Sequence, residues 1–170
     1  MTRRNLWFVL LVLLQVLVLI GLAGSSYATV QLGQEIKLKT IPVDPRDVLY
    51  GDYVTLQYEI SRLEPRLWHG EEPYPPKGTA VYTVLKLQGR YYEPVAAYPS
   101  KPAVQAGEVV IKGIVDSSWS DRIAVRYGIE RYYVPEGTGL DLERKADRLE
   151  VTVRISPWGQ NVITGVQERP

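Results

Sequence analysis

The sequence predicts an all-β domain behind one N-terminal transmembrane helix, and three observations support this prediction. Residues 6–24 are almost entirely apolar. The rest of the chain repeatedly alternates apolar and polar residues with a period of two, as strands with one buried face do. Glycine and proline separate these runs at the short intervals typical of hairpins. We expect about eight strands, arranged as a mainly antiparallel sandwich or a partly closed barrel.

The apolar segment has Gln15 as its single polar residue. A helix over residues 6–24 is about 28 Å long, close to the thickness of the hydrocarbon core of a bilayer. Arg3 and Arg4 precede this segment and no basic cluster directly follows it, so the N-terminus is expected in the cytoplasm. The sequence therefore predicts a single-pass protein of the cytoplasmic membrane. Its partner through residues 6–24 is the lipid bilayer, and its domain is extracytoplasmic.

A signal peptide that is cleaved after Ala28 is the alternative to an uncleaved anchor. Ser26-Tyr27-Ala28 has small residues where a signal peptidase requires them. The apolar region of a signal peptide is usually shorter than the one observed here, which favours the anchor. Both interpretations divide the chain into a membrane segment at 1–28 and an extracytoplasmic β domain at 29–170.

Alternation predicts the strands in chain order. The clearest runs place Val, Leu, Ile or Tyr on one face, and they lie at 53–60, 122–130 and 149–155. Weaker alternation predicts five further strands at 35–41, 79–87, 91–98, 108–115 and 161–167. Gly89 and Gly159 mark two hairpin turns. The segment 66–78 is a proline-rich loop, and 140–148 is expected to form one short helix of about two turns.

Two segments of the chain resemble each other. Residues 35–44 match residues 108–116 in Glu, Lys, Ile, Val and Asp when one residue is skipped. The later strands follow at similar offsets, with 53 opposite 122, 79 opposite 149 and 91 opposite 161. A duplicated four-strand unit explains this match, and so does the shared composition of any two β-rich segments. Both explanations stay open at this point.

Composition argues against several classes of function. The chain has no cysteine, so disulfides, zinc–thiolate sites and thiol nucleophiles are excluded. Its near-neutral charge gives no electrostatic footprint for nucleic acid. His69 is the single histidine and lies in the proline-rich loop, so no imidazole metal site or catalytic triad is supported. We predict no metal, no cofactor and no catalytic residue, which makes an enzyme the less favoured interpretation.

The stretch VDPRDVLYGDYVTLQYEI, residues 43–60, is the most informative part of the sequence. Its Asp-Pro pair is typical of a turn, and Gly51 permits a positive φ immediately before a strand. One interpretation is a turn that leads into a strand. The other is a recognition loop that offers four charged side chains to a partner, namely Asp44, Arg46, Asp47 and Asp52.

This stretch resembles the GDYXXLXY-domain family. The residues that fit its motif are Gly51, Asp52, Tyr53, Leu56 and Tyr58. Residues 125–139, VRYGIERYYVPEGTG, resemble a second block of the family and contribute Arg126, Tyr127, Gly128, Glu130 and Glu136. The resemblance implies an N-terminal membrane segment and a place beside multi-spanning membrane proteins, with no established activity.

These observations favour a non-enzymatic interaction or accessory subunit of a membrane-protein complex. The motif residues of the two blocks would then meet at one end of the sheet as a composite surface. The alternative is a cell-envelope enzyme or a glycan-binding module that uses the acidic loop 44–52 and surface aromatics. The aromatic candidates for that role are Trp68, Tyr74, Trp119 and Trp158.

Overall fold

The structure is a computed structural model that describes residues 3–42, 53–134 and 145–169. Its regular elements are α1 (Arg3–Leu32), β1 (Gln34–Ile41), β2 (Tyr53–Thr55), β3 (Gln57–Tyr58), β4 (Arg62–Leu63), β5 (Ala80–Gln88), β6 (Tyr91–Tyr98), β7 (Glu108–Ser118), β8 (Ile123–Arg126), β9 (Arg131–Tyr133), β10 (Leu149–Ile155) and β11 (Asn161–Glu168). Short 3-10 turns lie at Glu59–Ser61, Pro65–Leu67 and Ala146–Arg148. The predicted fold class is confirmed: one apolar helix precedes a mostly antiparallel β domain.

The strands form two larger sheets and a small ribbon. One sheet has the order β11-β10-β1-β3, the second has the order β4-β8-β7-β5-β6, and β2 pairs with β9. Their inner faces enclose one continuous core of aliphatic side chains and two tyrosines. Gly89 and Gly159 have the positive φ values of 63° and 91° that their hairpin turns require.

Two of the strongest predicted strands are interrupted in the structure. The run 53–60 divides into β2 and β3 and then bends into a 3-10 turn at Glu59–Ser61. The run 122–130 ends as β8 at Arg126, because Gly128 turns the chain with φ +79°. Apolar residues continue to point into the core through both bends. The alternation of apolar and polar residues therefore continues where the hydrogen bonding between strands is interrupted. These interruptions partly explain why the structure has eleven described strands where the sequence predicts about eight.

The predicted short helix at 140–148 is tested only at its end. Residues 140–144 lie outside the described part of the chain. Ala146–Arg148 forms a single 3-10 turn that leads directly into β10. Within the turn the Arg148 N–H donates to the Lys145 carbonyl, and the Arg169 N–H, which follows β11, donates to the Arg148 carbonyl, both at 2.8 Å.

The two sheets repeat one arrangement with the halves of the chain exchanged. In one sheet the hairpin β5–β6 of the first half pairs with β7 and then β8 of the second half. In the other sheet the hairpin β10–β11 of the second half pairs with β1 and then β3 of the first half. The correspondence β5 with β10, β6 with β11 and β7 with β1 is the one that the sequence match predicts. The structure therefore supports a duplicated four-strand unit over chance similarity.

Two buried tyrosines bind each half to the other in a reciprocal way. The Tyr58 hydroxyl donates to the Ile129 carbonyl at 2.6 Å, and the Tyr127 hydroxyl donates to the Ile60 carbonyl at 2.9 Å. If the two halves of the chain are exchanged, the hydrogen bond of Tyr58 takes the place of the hydrogen bond of Tyr127, and the reverse. Burial raises the pKa of both hydroxyls, with the charge of Glu130 adding to the effect, so both remain neutral donors.

Gly113 allows Tyr127 to reach its place. A β-carbon at Gly113 would lie 2.5 Å from Val125 Cγ1 and 2.8 Å from Tyr127 Cδ1. Such distances are far below van der Waals contact, so any side chain here would displace the tyrosine ring. Packing therefore requires a glycine at position 113, whereas the backbone φ at this position does not.

Tyr58→Phe and Tyr127→Phe should each lower the free energy of unfolding by about 1–3 kcal/mol, because each leaves a buried carbonyl without its donor. The effect should be at least as large for Tyr127, whose hydroxyl also lies 2.9 Å from Thr83 Oγ1. Thermal unfolding of the full chain in detergent, followed by circular dichroism, measures both. Tyr74→Phe, in an exposed loop, is the control and should leave the midpoint unchanged. If both core variants unfolded at the wild-type midpoint, this would contradict the role of the two hydrogen bonds in stabilising the contact between the halves.

Candidate functional site

Six of the predicted site residues lie outside the described part of the chain. They are Asp44, Arg46, Asp47, Gly51, Asp52 and Glu136. The choice between a turn and a recognition loop at 43–52 therefore stays a prediction. The structure describes the seven other site residues, of which Tyr53 is described by its backbone alone.

The structure brings the two motif blocks together. Tyr53 in β2 lies opposite Tyr133 in β9, and the two strands form an antiparallel ribbon. Beyond this ribbon, the Leu56 N–H donates to the Glu130 carbonyl at 2.7 Å. Leu56 and Tyr58 are fully buried in the core. The blocks meet, as the idea of a composite site requires, but several of their motif side chains face inward.

Glu130 stabilises the turn at Gly128. One carboxylate oxygen accepts the Tyr127 N–H at 2.5 Å, and the other accepts the Gly128 N–H at 3.0 Å. A side chain that binds two consecutive backbone amides holds a turn in place. Arg126 instead pairs with Asp116 at 3.3 Å, on an exposed edge. Arg126 and Glu130 do not lie on one continuous strand, because β8 ends at Arg126 and the chain turns at Gly128 between them.

A buried carboxylate that sequence reasoning missed lies on the outer face of β10. The side chain of Glu150 has no exposed surface, and its oxygens contact Lys37 Nζ at 2.8 Å and Arg90 Nε at 2.7 Å. Gln167 Nε2 donates a further bond at 2.8 Å. The hydrogen bond from Arg90, assisted by those from Lys37 and Gln167, outweighs burial and lowers the pKa of Glu150 to about 2.

This cluster joins separate parts of the fold. Lys37 belongs to β1 and Gln167 to β11, while Arg90 lies at the turn of the β5–β6 hairpin. That hairpin crosses from its own sheet to cover the other. In the sequence, Glu150 resembles an ordinary solvent-facing residue between Leu149 and Val151. The alternation carries no signal that a distant hairpin covers this face.

The C-terminal turns of α1 are hydrogen-bonded to the β domain. Gln160, at the end of the β10–β11 turn, donates to Ser26 Oγ at 3.1 Å, and its amide oxygen lies 3.1 Å from Thr29 Oγ1. Trp158 Nε1 donates to the same Gln160 oxygen at 3.4 Å. A single residue, Gly33, separates α1 from β1. The helix and the sheet are thus directly connected, without a flexible linker.

Two open clefts occupy positions related by the internal repeat. One, of about 480 Å³, is lined by charged residues that include Arg62, Glu64 and Glu93. The other, of about 430 Å³, is lined by Tyr132 and Tyr133 and extends to Ser26 on the helix. Arg62 corresponds to Arg131 and Glu93 to Ile163 at the offsets of the repeat. The second cleft therefore places aromatic groups beside the point where α1 enters the domain.

Fold and site together define a class: a β domain held directly on an apolar N-terminal helix, Trp7–Leu32, that is long and apolar enough to cross a membrane. Among the residues that the structure describes, no group of three or more His, Asp or Glu side chains is placed to hold a metal ion. The family model "GDYXXLXY protein" matches residues 15–166, nearly the whole chain, and the protein belongs to this family. No curated protein and no solved structure matches the chain.

Stability should depend on pH through Glu150. Because its folded pKa of about 2 lies below its ordinary 4.5, its contribution is present above pH 4.5 and is lost as pH falls toward 2. Glu150→Gln should cost about 1–3 kcal/mol at pH 7 and progressively less within that window. Glu35→Gln, in an exposed pair with Arg154, should cost about 0–1 kcal/mol. Unfolding midpoints from pH 7 to pH 2 test this, and a pH-independent effect of Glu150→Gln would contradict it.

Proposed function

We propose that this protein is a membrane-tethered extracytoplasmic module that acts, without catalysis, as an interaction or accessory subunit of a membrane-protein complex. The observation that carries the proposal is the direct connection of α1 to the sheet through Ser26, Thr29 and Gln160. Such a connection holds one orientation of the domain relative to the helix. A module that presents a fixed surface to a neighbouring membrane protein needs that orientation, whereas a domain that diffuses on a tether does not.

The cleft beside the helix supports the same proposal. Tyr132 and Tyr133 line it, and 71% of Tyr133 is exposed to solvent. Tyrosine is enriched at protein–protein interfaces, where its ring packs and its hydroxyl stays hydrated. A partner that contacts this cleft would also lie against α1 at Ser26, because both line the same space. A partner with membrane-spanning helices of its own satisfies this geometry.

A cell-envelope enzyme or a glycan-binding module is the second candidate function. It is favoured by the solvent exposure of Trp119 and Trp158, which are 49% and 52% exposed. Trp68 fits this role less well, because it packs against the core and its Nε1 donates to the Glu72 carbonyl at 2.7 Å. The two candidates differ in what remains bound to the native protein.

Gentle solubilisation of the tagged full chain, followed by identification of bound material, separates the candidates. A stoichiometric membrane-protein partner supports the accessory role. Recovery as a lone protein that retains polysaccharide supports the glycan-binding alternative and contradicts the accessory role. Tyr133→Ala tests the cleft in the same experiment, since it should reduce recovery of the partner while the unfolding midpoint stays near that of the wild type.

The orientation of the chain follows from Arg3 and Arg4. We expect the N-terminus in the cytoplasm and residues 29–170 on the other side of the cytoplasmic membrane, with α1 continuing to Leu32. A reporter that is active only outside the cytoplasm should function when fused after Pro170. Activity of a cytoplasm-specific reporter at the same position would contradict this orientation. N-terminal sequencing of the mature protein tests cleavage after Ala28.

The loop 44–52 should divide into structural and contact residues. Gly51→Val and Asp52→Ala should each lower stability by about 1 kcal/mol, if these residues hold the turn. Arg46→Ala and Asp47→Ala should leave the unfolding midpoint unchanged, since exposed ion pairs contribute about 0–1 kcal/mol, yet should weaken recovery of the partner. If both charge variants recover the partner as the wild type does, the loop is a turn without a recognition role.

A further inference from the structure

The sequence of α1 sets the height at which the helix leaves the bilayer. About 20 residues cross a hydrocarbon core of about 30 Å, and the apolar run ends at Gly24. Ser25 and Ser26 are the first consecutive polar residues after this run. The remaining turns of the helix, up to Leu32, therefore extend through the headgroup layer.

The β10–β11 turn, residues 156–160, lies at the same height. Gln160 bonds to Ser26, and the Trp158 indole bonds to Gln160, so two consecutive hydrogen bonds join the indole to the helix. Half of the Trp158 side chain is exposed. Tryptophan concentrates at membrane–water interfaces, because its ring is apolar while its N–H requires a polar partner. Here Gln160 supplies that partner.

Two lysines lie beside this tryptophan. Lys101 and Lys112 line a small pocket of about 110 Å³ together with Trp158 and Ser156. Lys101 Nζ donates to the Pro157 carbonyl at 2.6 Å, which holds its ammonium group against the turn. Lys112 Nζ lies 5.9 Å from the centre of the Tyr82 ring. No carboxylate is among the described residues that line this pocket, which contains two ammonium groups, and Glu108 lines the adjoining cleft that shares Lys101 and Ser156.

We propose that the β10–β11 turn, Lys101 and Lys112 form a contact surface for anionic phospholipid headgroups, with Trp158 in the interface and the two ammonium groups on the lipid phosphate. The proposal rests on the part of the proposed function in which α1 spans the membrane. It adds a second, lateral attachment that holds the domain on the bilayer beside its own anchor.

Depth-dependent fluorescence quenching tests the position of Trp158. The full chain with Trp7, Trp68 and Trp119 replaced by Phe is reconstituted into phosphatidylcholine–phosphatidylglycerol vesicles that contain a headgroup spin label. Most of the Trp158 emission should be lost. The matched control retains Trp119 alone, which is similarly exposed and directly follows the end of β7 at Ser118, roughly 20 Å along the chain from Lys112. It should keep most of its emission, and equal quenching of the two would overturn the proposal.

The wild-type background offers a second measurement in case the triple Phe variant folds poorly. The chain has no cysteine, so Trp158→Cys and Trp119→Cys each allow one labelled site with no other change. An environment-sensitive dye at position 158 should shift to the blue on reconstitution, and the dye at 119 should not. Identical spectra at the two sites would overturn the proposal.

The lysines are tested by lipid retention. Lys101→Ala with Lys112→Ala should reduce the preference for phosphatidylglycerol over phosphatidylcholine, measured by mass spectrometry of lipids that remain bound after delipidation. Each lysine near an anionic surface contributes about 1 kcal/mol, equal to about fivefold in affinity. Lys77→Ala, at an exposed pair with Asp116, is the control and should retain the wild-type preference. An unchanged preference in the double variant would overturn the lysine role.

Loss of the membrane anchor and loss of the headgroup contact would give different results. Release of the chain from vesicles by alkaline carbonate would show that α1 does not span, which removes the membrane anchor of the proposed function. A chain that stays in the vesicles while Trp158 remains unquenched removes the headgroup contact alone.

Discussion

The reciprocal hydrogen bonds of Tyr58 and Tyr127 are the constraint on which the rest of the domain depends. Each half of the chain contributes a hairpin to one sheet and two strands to the other, so neither half can form a closed core alone. The two tyrosines join the places where β3 and β8 end and the chain bends. Because each ring is fully surrounded by core side chains, an unpaired carbonyl at Ile60 or Ile129 would have no access to water.

The two copies of the repeated unit have different roles. Both hairpins leave their own sheet and lie across the neighbouring one, yet their turns carry different chemistry. The β5–β6 turn presents Arg90, which meets a buried carboxylate and closes a network of charge-assisted bonds. The β10–β11 turn presents Trp158 and Gln160, which meet the helix. One copy of the unit thus stabilises the β domain, and the other attaches it to α1.

The sequence was sufficient to predict elements in which a local pattern decides the outcome. The strands 91–98 and 149–155 match β6 and β10 at both ends, since alternation and a glycine turn act within a few residues. The predicted strands 53–60 and 122–130 end earlier in the structure than the sequence predicts. Closing the sheets requires a bend in each, and the alternation of apolar and polar residues does not encode that bend. Glu150 was missed for a related reason: its partners Lys37 and Arg90 lie more than 50 residues away. The sequence predicted two motif blocks and their meeting, but not the contact itself, since the hydrogen bond between Leu56 and Glu130 depends on how the two halves pack.

The lack of a linker between α1 and β1 restricts how the β domain can be oriented relative to the helix. Only Gly33 intervenes, and β1 then runs eight residues to Ile41, about 26 Å along the strand. A second connection lies at the aromatic cleft, where Tyr132 and Tyr133 share one space with Ser26 of α1. Tyr53 pairs with Tyr133, so the start of β2 is held beside this cleft. The covalent connection at Gly33 and the hydrogen bonds of Gln160 to Ser26 and Thr29 therefore act together, and they give the cleft and the β2–β9 ribbon a defined position relative to α1.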